Sequence, residues 1–355
     1  MKEIGRNIAA EFDRNTGTVR IYSEGGVLEE DWNKRLGVYD KSRIRSIRVV
    51  KGKAVLPEYA GRIFANYQNL KTIDTNGLDT SRVKNMWEMF KSCLSLTELD
   101  LSSFDTSQVK SMGYMFKECD ALTSLDLSGL NTSGVTNMQS MFEDCSHLRE
   151  IVLNNFDTSN VENMSNMFAG CAKLADLNID FDTSNVISMI GMFGHCHTLK
   201  QLDLSGFNTS NVTDMSYMFY NCRDLTSLDV NGFDTSKVEN MSFMFCQCNF
   251  SDLDLSGFNT AAVQKMTGMF SHCGSLTELD LSNFNTQNVK SMWRMFHKCG
   301  SLTNLDLSGF DMSEVMDMRQ MFSGCSNLEH IHLDPIINKD TATTNAFEYC
   351  PAKLV

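Results

Sequence analysis

A chain of 355 residues that is 42% hydrophobic can bury a continuous core, and its net charge of -13 argues against nucleic acid or an anionic membrane as partner. The charge is uneven: residues 1–60 carry 12 Lys/Arg and 9 Asp/Glu, about +3, which leaves about -16 for the rest. This length ordinarily implies two or more domains, unless repeats let each unit bury its apolar face against its neighbours.

The start, Met1 to Phe12, has no apolar h-region of a secretory signal, and no run is apolar enough to cross a bilayer. The end, Cys350 to Val355, shows no sorting or lipidation signal. The sequence as it stands is expected in the cytoplasm, or at the cell surface or secreted if a leader has been removed. Glu11 to Tyr22 reads as a β-hairpin with Asn15-Thr-Gly17 as its turn, because Val19 and Ile21 alternate with polar residues. Trp32 follows in a charged segment and is expected to pack over the first turn of a stack. Residues 1–43 are thus expected to form an N-terminal cap.

From there one sentence repeats. A Met-Phe pair recurs at Phe90, Phe116, Phe142, Phe168, Phe193, Phe219, Phe245, Phe270, Phe296 and Phe322, in steps of 25 or 26 residues. A fixed period in that range marks a solenoid. Ile44 to Val49 has the spacing of Leu96 to Leu101, and Phe64 and Phe347 extend the series at both ends. This gives about twelve turns over residues 44–350, followed by a tail at 351–355. Within a turn, Leu-x-x-Leu-x-Leu predicts a strand with inward leucines. Ser-Gly-Phe-Asn-Thr-Ser-Asn is turn chemistry. Val-x-x-Met-x-x-Met-Phe-x-x-Cys fits one apolar helical face, or a short extended piece followed by a helical turn at Met-Phe-x-x-Cys. The shortness of the repeat favours the mixed reading.

Ten of the twelve cysteines lie three residues after a repeat Phe, from Cys93 to Cys325, and Cys350 follows Phe347 by the same offset. One cysteine per turn at a fixed register predicts a ladder of buried thiols rather than disulfides. Cys246 alone stands outside it. His195-Cys-His197 and Cys246-x-Cys248 look coordinating, but Cys196 and Cys248 are ladder positions, so no metal site is expected.

The string Leu-x-x-Leu-Asp-Leu-Ser-x-Phe-Asn/Asp-Thr-Ser-x-Val-x-x-Met-x-x-Met-Phe-x-x-Cys, as in Leu199 to Cys222, resembles the BspA-like leucine-rich-repeat surface proteins of bacteria and mycoplasmas. Phe12 to Ile21 is similar to the β-type leader of such arrays. The resemblance implies an α/β fold, a right-handed leucine-rich-repeat solenoid of about twelve turns with an N-terminal β-type cap. It also implies binding of host or neighbouring-cell proteins.

Function is expected where turns present outward side chains. Asp74, Asp100, Asp126, Asp203, Asp229, Asp254, Asp280 and Asp306 form a column whose like charges should raise one another's pKa unless solvated or bonded to the adjacent serines. The column is either a structural ladder or an acidic stripe for a basic partner, a carbohydrate or a cation. Arg48 holds its position in the first turn and is expected to neutralise its open end beside Asp74. Turns depart from the pattern at Arg149, Glu150 and Val152, at Asp176, Asn178 and Asp180, and at Lys200, the variable outward positions on which solenoid specificity depends. Aromatic residues follow the first Met of several turns: Trp87, Tyr114, Tyr217, Phe243 and Trp293, with Tyr220 near the third. Such clusters supply interface hot spots. No phosphate loop, nucleophile elbow or two-His metalloprotease string occurs. The expectation is a monomeric, non-enzymatic module without cofactor that binds a protein partner. A cytoplasmic inhibitor with the same scaffold is the alternative.

Overall fold

The computed structural model describes residues 1–333 and 340–354, in two compact units: Met1–Asn163 with Met167–Leu174, and Met164–Asn166 with the described residues from Ala175 onward. In the first unit, β1 (Lys2–Gly5), β2 (Ile8–Asp13) and β3 (Thr18–Ser23) form an antiparallel meander. The expected hairpin is β2–β3, and β1 is an additional strand. After the short helix α1 (Trp32–Leu36), β4 (Ser46–Lys51) pairs parallel with β3, setting Val19 opposite Ile47 and Ile21 opposite Val49. The cap and the first turn of the solenoid therefore share one sheet. Trp32 is fully buried, stacks on Tyr67 at 5.8 Å and donates from Nε1 to the Ile63 carbonyl at 3.2 Å. Arg48 is paired across the sheet with Arg20 of β3 rather than standing at an open edge, and it makes no ion pair with Asp74 among the described residues.

The leucine segments form strands only in places. β5 (Ala54–Val55), β6 (Thr72–Ile73), β7 (Leu78–Asp79), β8 (Ser124–Asp126) and β9 (Glu150–Val152) lie in the first unit. β10 (Asn304–Leu307), β11 (His330–Leu333) and β12 (Lys353–Leu354) pair in parallel in the second. The regular ladder runs instead one residue before the first Met. Parallel bridges link Tyr59, Asn85, Ser111, Asn137 and Asn163 in one unit, and Ser188, Asp214, Asn240, Lys265, Ser291, Asp317 and Ala342 in the other.

The Met-Phe-x-x-Cys segment is not helical, which corrects the expected helical turn. Alternate N–H groups leave the turn altogether: those of Met86, Glu88, Phe90 and Ser92 donate to the carbonyls of Ser111, Gly113, Met115 and Lys117 in the next. The N–H groups of Met89, Lys91 and Cys93 instead close i to i−3 turns onto Met86, Glu88 and Phe90. A chain that alternates in this way cannot also make helical bonds four residues back. Its tight turns require two left-handed residues per repeat. Glu88 (φ 57), Tyr114 (φ 57), Tyr217 (φ 60) and Phe243 (φ 58) occupy one column, and Ser92 (φ 56), Glu118 (φ 59) and His272 (φ 60) the other. The solenoid of about twelve turns thus stands, but as mostly sheet and turn with few helices.

Three buried columns hold neighbouring turns together. The repeat phenylalanines stack at 5.4–5.9 Å in the first unit and 5.1–6.0 Å in the second. The cysteines form no disulfide among the described residues, and most ladder thiols donate to the Phe carbonyl of the preceding turn, as Cys119 does to Phe90 at 3.2 Å and Cys325 to Phe296 at 2.9 Å. Burial pushes such thiols up, Cys145 and Cys222 to about 12. Third, buried threonines of the Asn/Asp-Thr-Ser string bridge to the next turn. Thr106 Oγ1 donates to the Asn131 carbonyl at 2.9 Å and accepts from the Asn131 N–H at 2.8 Å.

Candidate functional site

The acidic column closes turns. Asp100, Asp126, Asp203, Asp254, Asp280 and Asp306 each accept the backbone N–H of the serine two residues on, at 2.9 Å, and Asp229 accepts that of Asn231 at 3.0 Å. The serine hydroxyl and N–H hold those six carboxyls below the usual range. The serine bonds expected to relieve like-charge repulsion are thus in place, and a bond inside each turn outweighs repulsion between solvated neighbours. Asp74, the first of the column, is half-buried. Open troughs lie between leucine segments where no strand pairing forms, lined in part by Asp100 and Asp126 in the first unit and by Asp203, Asp229 and Asp254 in the second. Among the described residues no group of three or more His, Cys, Asp or Glu is placed to hold a metal ion.

The variable positions divide between the units. Arg149 and Glu150 are exposed in the first, on or beside β9, with Val152 half-buried opposite Asp126 of β8. Asp176, Asn178, Asp180 and Lys200 are exposed in the second, where Asp176 bridges to Gln201. They belong to the leucine segments. The aromatic residues belong to the Met-Phe-Cys segments, so the structure does not gather these groups into one site.

The aromatic residues do cluster. In the first unit Trp87 tilts against Tyr114 at 4.6 Å, lying so close over Gly113 that a Cβ there would stand 2.6 Å from the indole. Charge pairs frame this contact: Arg62 with Glu88 at 2.5 Å, Lys91 with Glu88 at 2.9 Å and Lys117 with Glu143 at 2.7 Å. In the second unit Tyr217 stacks on Phe243 at 4.9 Å, with Tyr220 edge-on to both. Phe243 reaches across Gly268 (φ +57) to meet Trp293 at 6.3 Å, and a Cβ on Gly268 would stand 2.3 Å from its ring. Tyr217 is 41% exposed. His195 adds an edge to Tyr220 at 4.9 Å, and while His195 is exposed Cys196 beside it is buried.

Residues not singled out from the sequence complete this flank. Arg223 Nε donates to Asn221 Oδ1 at 2.7 Å, and Arg294 Nε donates to Gln320 Oε1 at 2.6 Å while its guanidinium lies 4.6 Å from the Trp293 ring centre. His272 and His297 meet edge-on at 5.1 Å. Burial, then Arg294, His272 and Lys298, push the His297 imidazole down to about 4. Aligning the Met-Phe-Cys segments by register would have exposed these residues, because acids are missing there.

Parallel turns stacked through leucine, phenylalanine and cysteine columns define a leucine-rich-repeat β-solenoid that offers outward faces. By sequence the chain belongs to the DUF285 family, described as Mycoplasma protein of unknown function, which matches residues 60–152, 149–229 and 224–334. A leucine-rich repeat protein from Bacteroides ovatus shares the fold at 19% identity and a TM-score of 0.52, over 97% of this chain and 91% of that one. A leucine rich cell surface protein from Faecalibacterium prausnitzii aligns at 14% identity with a TM-score of 0.41, covering 94% and 95%. A leucine-rich repeat protein from Eubacterium ventriosum aligns at 14% with a TM-score of 0.44, covering 100% and 95%. No curated protein matches the chain.

Proposed function

We propose that this chain is a non-enzymatic protein-interaction module that contacts its partner through the outward flank of the Met-Phe-Cys segments in the second unit. The observation that carries this reading is the Tyr217–Tyr220–Phe243–Trp293 cluster, whose rings lie outside the phenylalanine core and include a side chain 41% exposed. Rigid, partly exposed aromatic residues are the usual anchors of protein interfaces. The Asp column supports the same choice, since its carboxylates are engaged in closing their own turns. A surface role in the manner of the leucine-rich-repeat surface proteins fits the same scaffold.

Panning a phage-displayed peptide library against the purified protein tests the reading. Selected peptides should lose at least tenfold in affinity for the Tyr217→Ala/Phe243→Ala double variant, while its thermal unfolding shifts by no more than a few degrees. Peptides that bind this variant unchanged, but lose affinity when Asp203 and Asp254 become Asn, would move the contact to the leucine side and refute it.

A further inference from the structure

The six Met-Phe-Cys stretches of the second unit, 190–197, 216–223, 242–249, 267–274, 293–300 and 319–326, contain no Asp or Glu. With 44 acids in 355 residues, about six would be expected in these 48 positions. The equivalent stretches of the first unit carry Glu88, Glu118, Asp120, Glu143 and Asp144. What the second unit holds there is cationic and aromatic. Arg319 is taken up by a bidentate pair with Asp317. Arg223, Arg294 and Lys298 make no ion pair among the described residues. Arg223 and Arg294 are each held at Nε by a neighbouring amide, which fixes the guanidinium and leaves its two terminal nitrogens for a ligand.

Resting on the reading above, we infer that this flank takes an acidic peptide: carboxylates seated on Arg223, Arg294 and Lys298, with apolar side chains against the Tyr217–Phe243–Trp293 rings. Three features favour it. The positive flank contrasts with a leucine side of the same unit that carries Asp203, Asp229, Asp254, Asp280 and Asp306, so an acidic chain is attracted to one side and repelled from the other. The rings are engaged by one another, Tyr217 with Phe243 face to face and Phe243 with Trp293 edge to face. Fewer ring faces are therefore left for a sugar or a nucleobase to stack on, whereas ring rims, the positive part of an aromatic quadrupole, suit carbonyl and carboxylate oxygens. Finally, the flank runs over several turns at one register, matching an extended chain rather than a compact ligand.

The test uses fluorescence polarisation with the whole chain and a labelled fourteen-residue probe alternating Glu or Asp with Leu or Phe. Its controls are the same probe with Gln and Asn for the acids, unlabelled polygalacturonate and a single-stranded oligonucleotide. The acidic probe should bind at least tenfold tighter than its amide control and weaken steeply with added salt. It should lose about tenfold on Arg223→Gln/Arg294→Gln/Lys298→Gln, with thermal unfolding unchanged. If the amide probe binds equally and still depends on Tyr217 and Phe243, the charge proposal falls while the flank reading stands. If both probes bind but neither responds to Tyr217→Ala/Phe243→Ala, both fall. Binding of polygalacturonate or the oligonucleotide in place of the peptide overturns the proposal, as does an acidic probe that fails to bind.

Discussion

Replacing Thr106 by Val keeps the size and branching of a fully packed side chain and removes its oxygen. That oxygen serves both backbone groups of Asn131 in the next turn, at 2.9 and 2.8 Å, and Thr106 is only 2% exposed. Leaving a buried N–H and a buried carbonyl unpaired costs about 1–3 kcal/mol each. The Asn131 side is exposed, so water relieves part of this and about 1.5 kcal/mol each applies. The added methyl returns about 0.8 kcal/mol, for a net loss of about 2 kcal/mol. Thr106→Ser keeps both bonds and loses one methyl, about 1 kcal/mol. The expected order of stability is wild type, Ser, Val. Guanidinium unfolding followed by circular dichroism measures it, with m-values compared because repeat arrays can unfold in segments. Amide exchange at Asn131 should accelerate in the Val variant alone. A Val variant as stable as the Ser variant would refute the view that the Thr column joins turns by hydrogen bonds rather than by packing.

Native-state alkylation at pH 8 should label Cys350, which is half-buried, before the fully buried ladder cysteines, because thiols held near 12 expose only about one part in ten thousand as thiolate; mass spectrometry of digests reads the order. Gly268→Ala places a Cβ in a left-handed position against Phe243, and should destabilise by about 1–2 kcal/mol in thermal unfolding while displacing the aromatic cluster, seen as a change in near-ultraviolet dichroism. For His297 the fold favours the neutral ring, with a pKa of about 4 against an ordinary 6.5. Its contribution to stability is therefore complete above pH 6.5 and is lost as pH falls from there towards 4, by about 1 kcal/mol at pH 5 after allowing for its partly solvated site. His297→Gln should flatten the fall in unfolding temperature between pH 7 and pH 5.

The inward columns could be read from the sequence because burial at a fixed register repeats its residue type: Leu96, Val109, Met112, Phe116 and Cys119 are all buried as their spacing required. Thr106 was passed over as turn chemistry, although a Thr in nearly every turn already hinted at an inward place. The path of Met-Phe-x-x-Cys was not legible at all. Left-handed positions are usually announced by glycine, yet Glu88, Tyr114, Gln320 and Lys298 fill them here. Their conformation is imposed by bonds to the next turn, which no local window contains. The Asp column and its bonding to the adjacent serines are legible in the sequence, whereas the closure of each turn by the serine N–H at 2.9 Å is supplied by the fold.

That same left-handed column supports placing the proposed contact on the Met-Phe-Cys side. Its residues hold the stack through backbone groups whatever the side chain, as when the N–H of Tyr217 meets the Ser242 carbonyl and that of Phe243 the Thr267 carbonyl. A non-glycine residue there costs on the order of 1 kcal/mol, and a bulky one is unusual. Since the backbone bonds do not depend on the side chain, the register accepts Arg62, Glu88, Tyr114, Asn166 and Gln320 without change of path, and some of these add side-chain bonds such as Arg62 to Glu88. The leucine, phenylalanine and cysteine positions have no such freedom, because each touches its copies in the adjoining turns. Side-chain chemistry can therefore vary on this column at little cost to the fold, and in the second unit it has drifted furthest from the polar residues of the scaffold, to Tyr217 and Phe243 over Gly268. An aromatic pair set in a backbone conformation that it does not favour, and lying outside the phenylalanine core, is the feature on which we base the proposed contact.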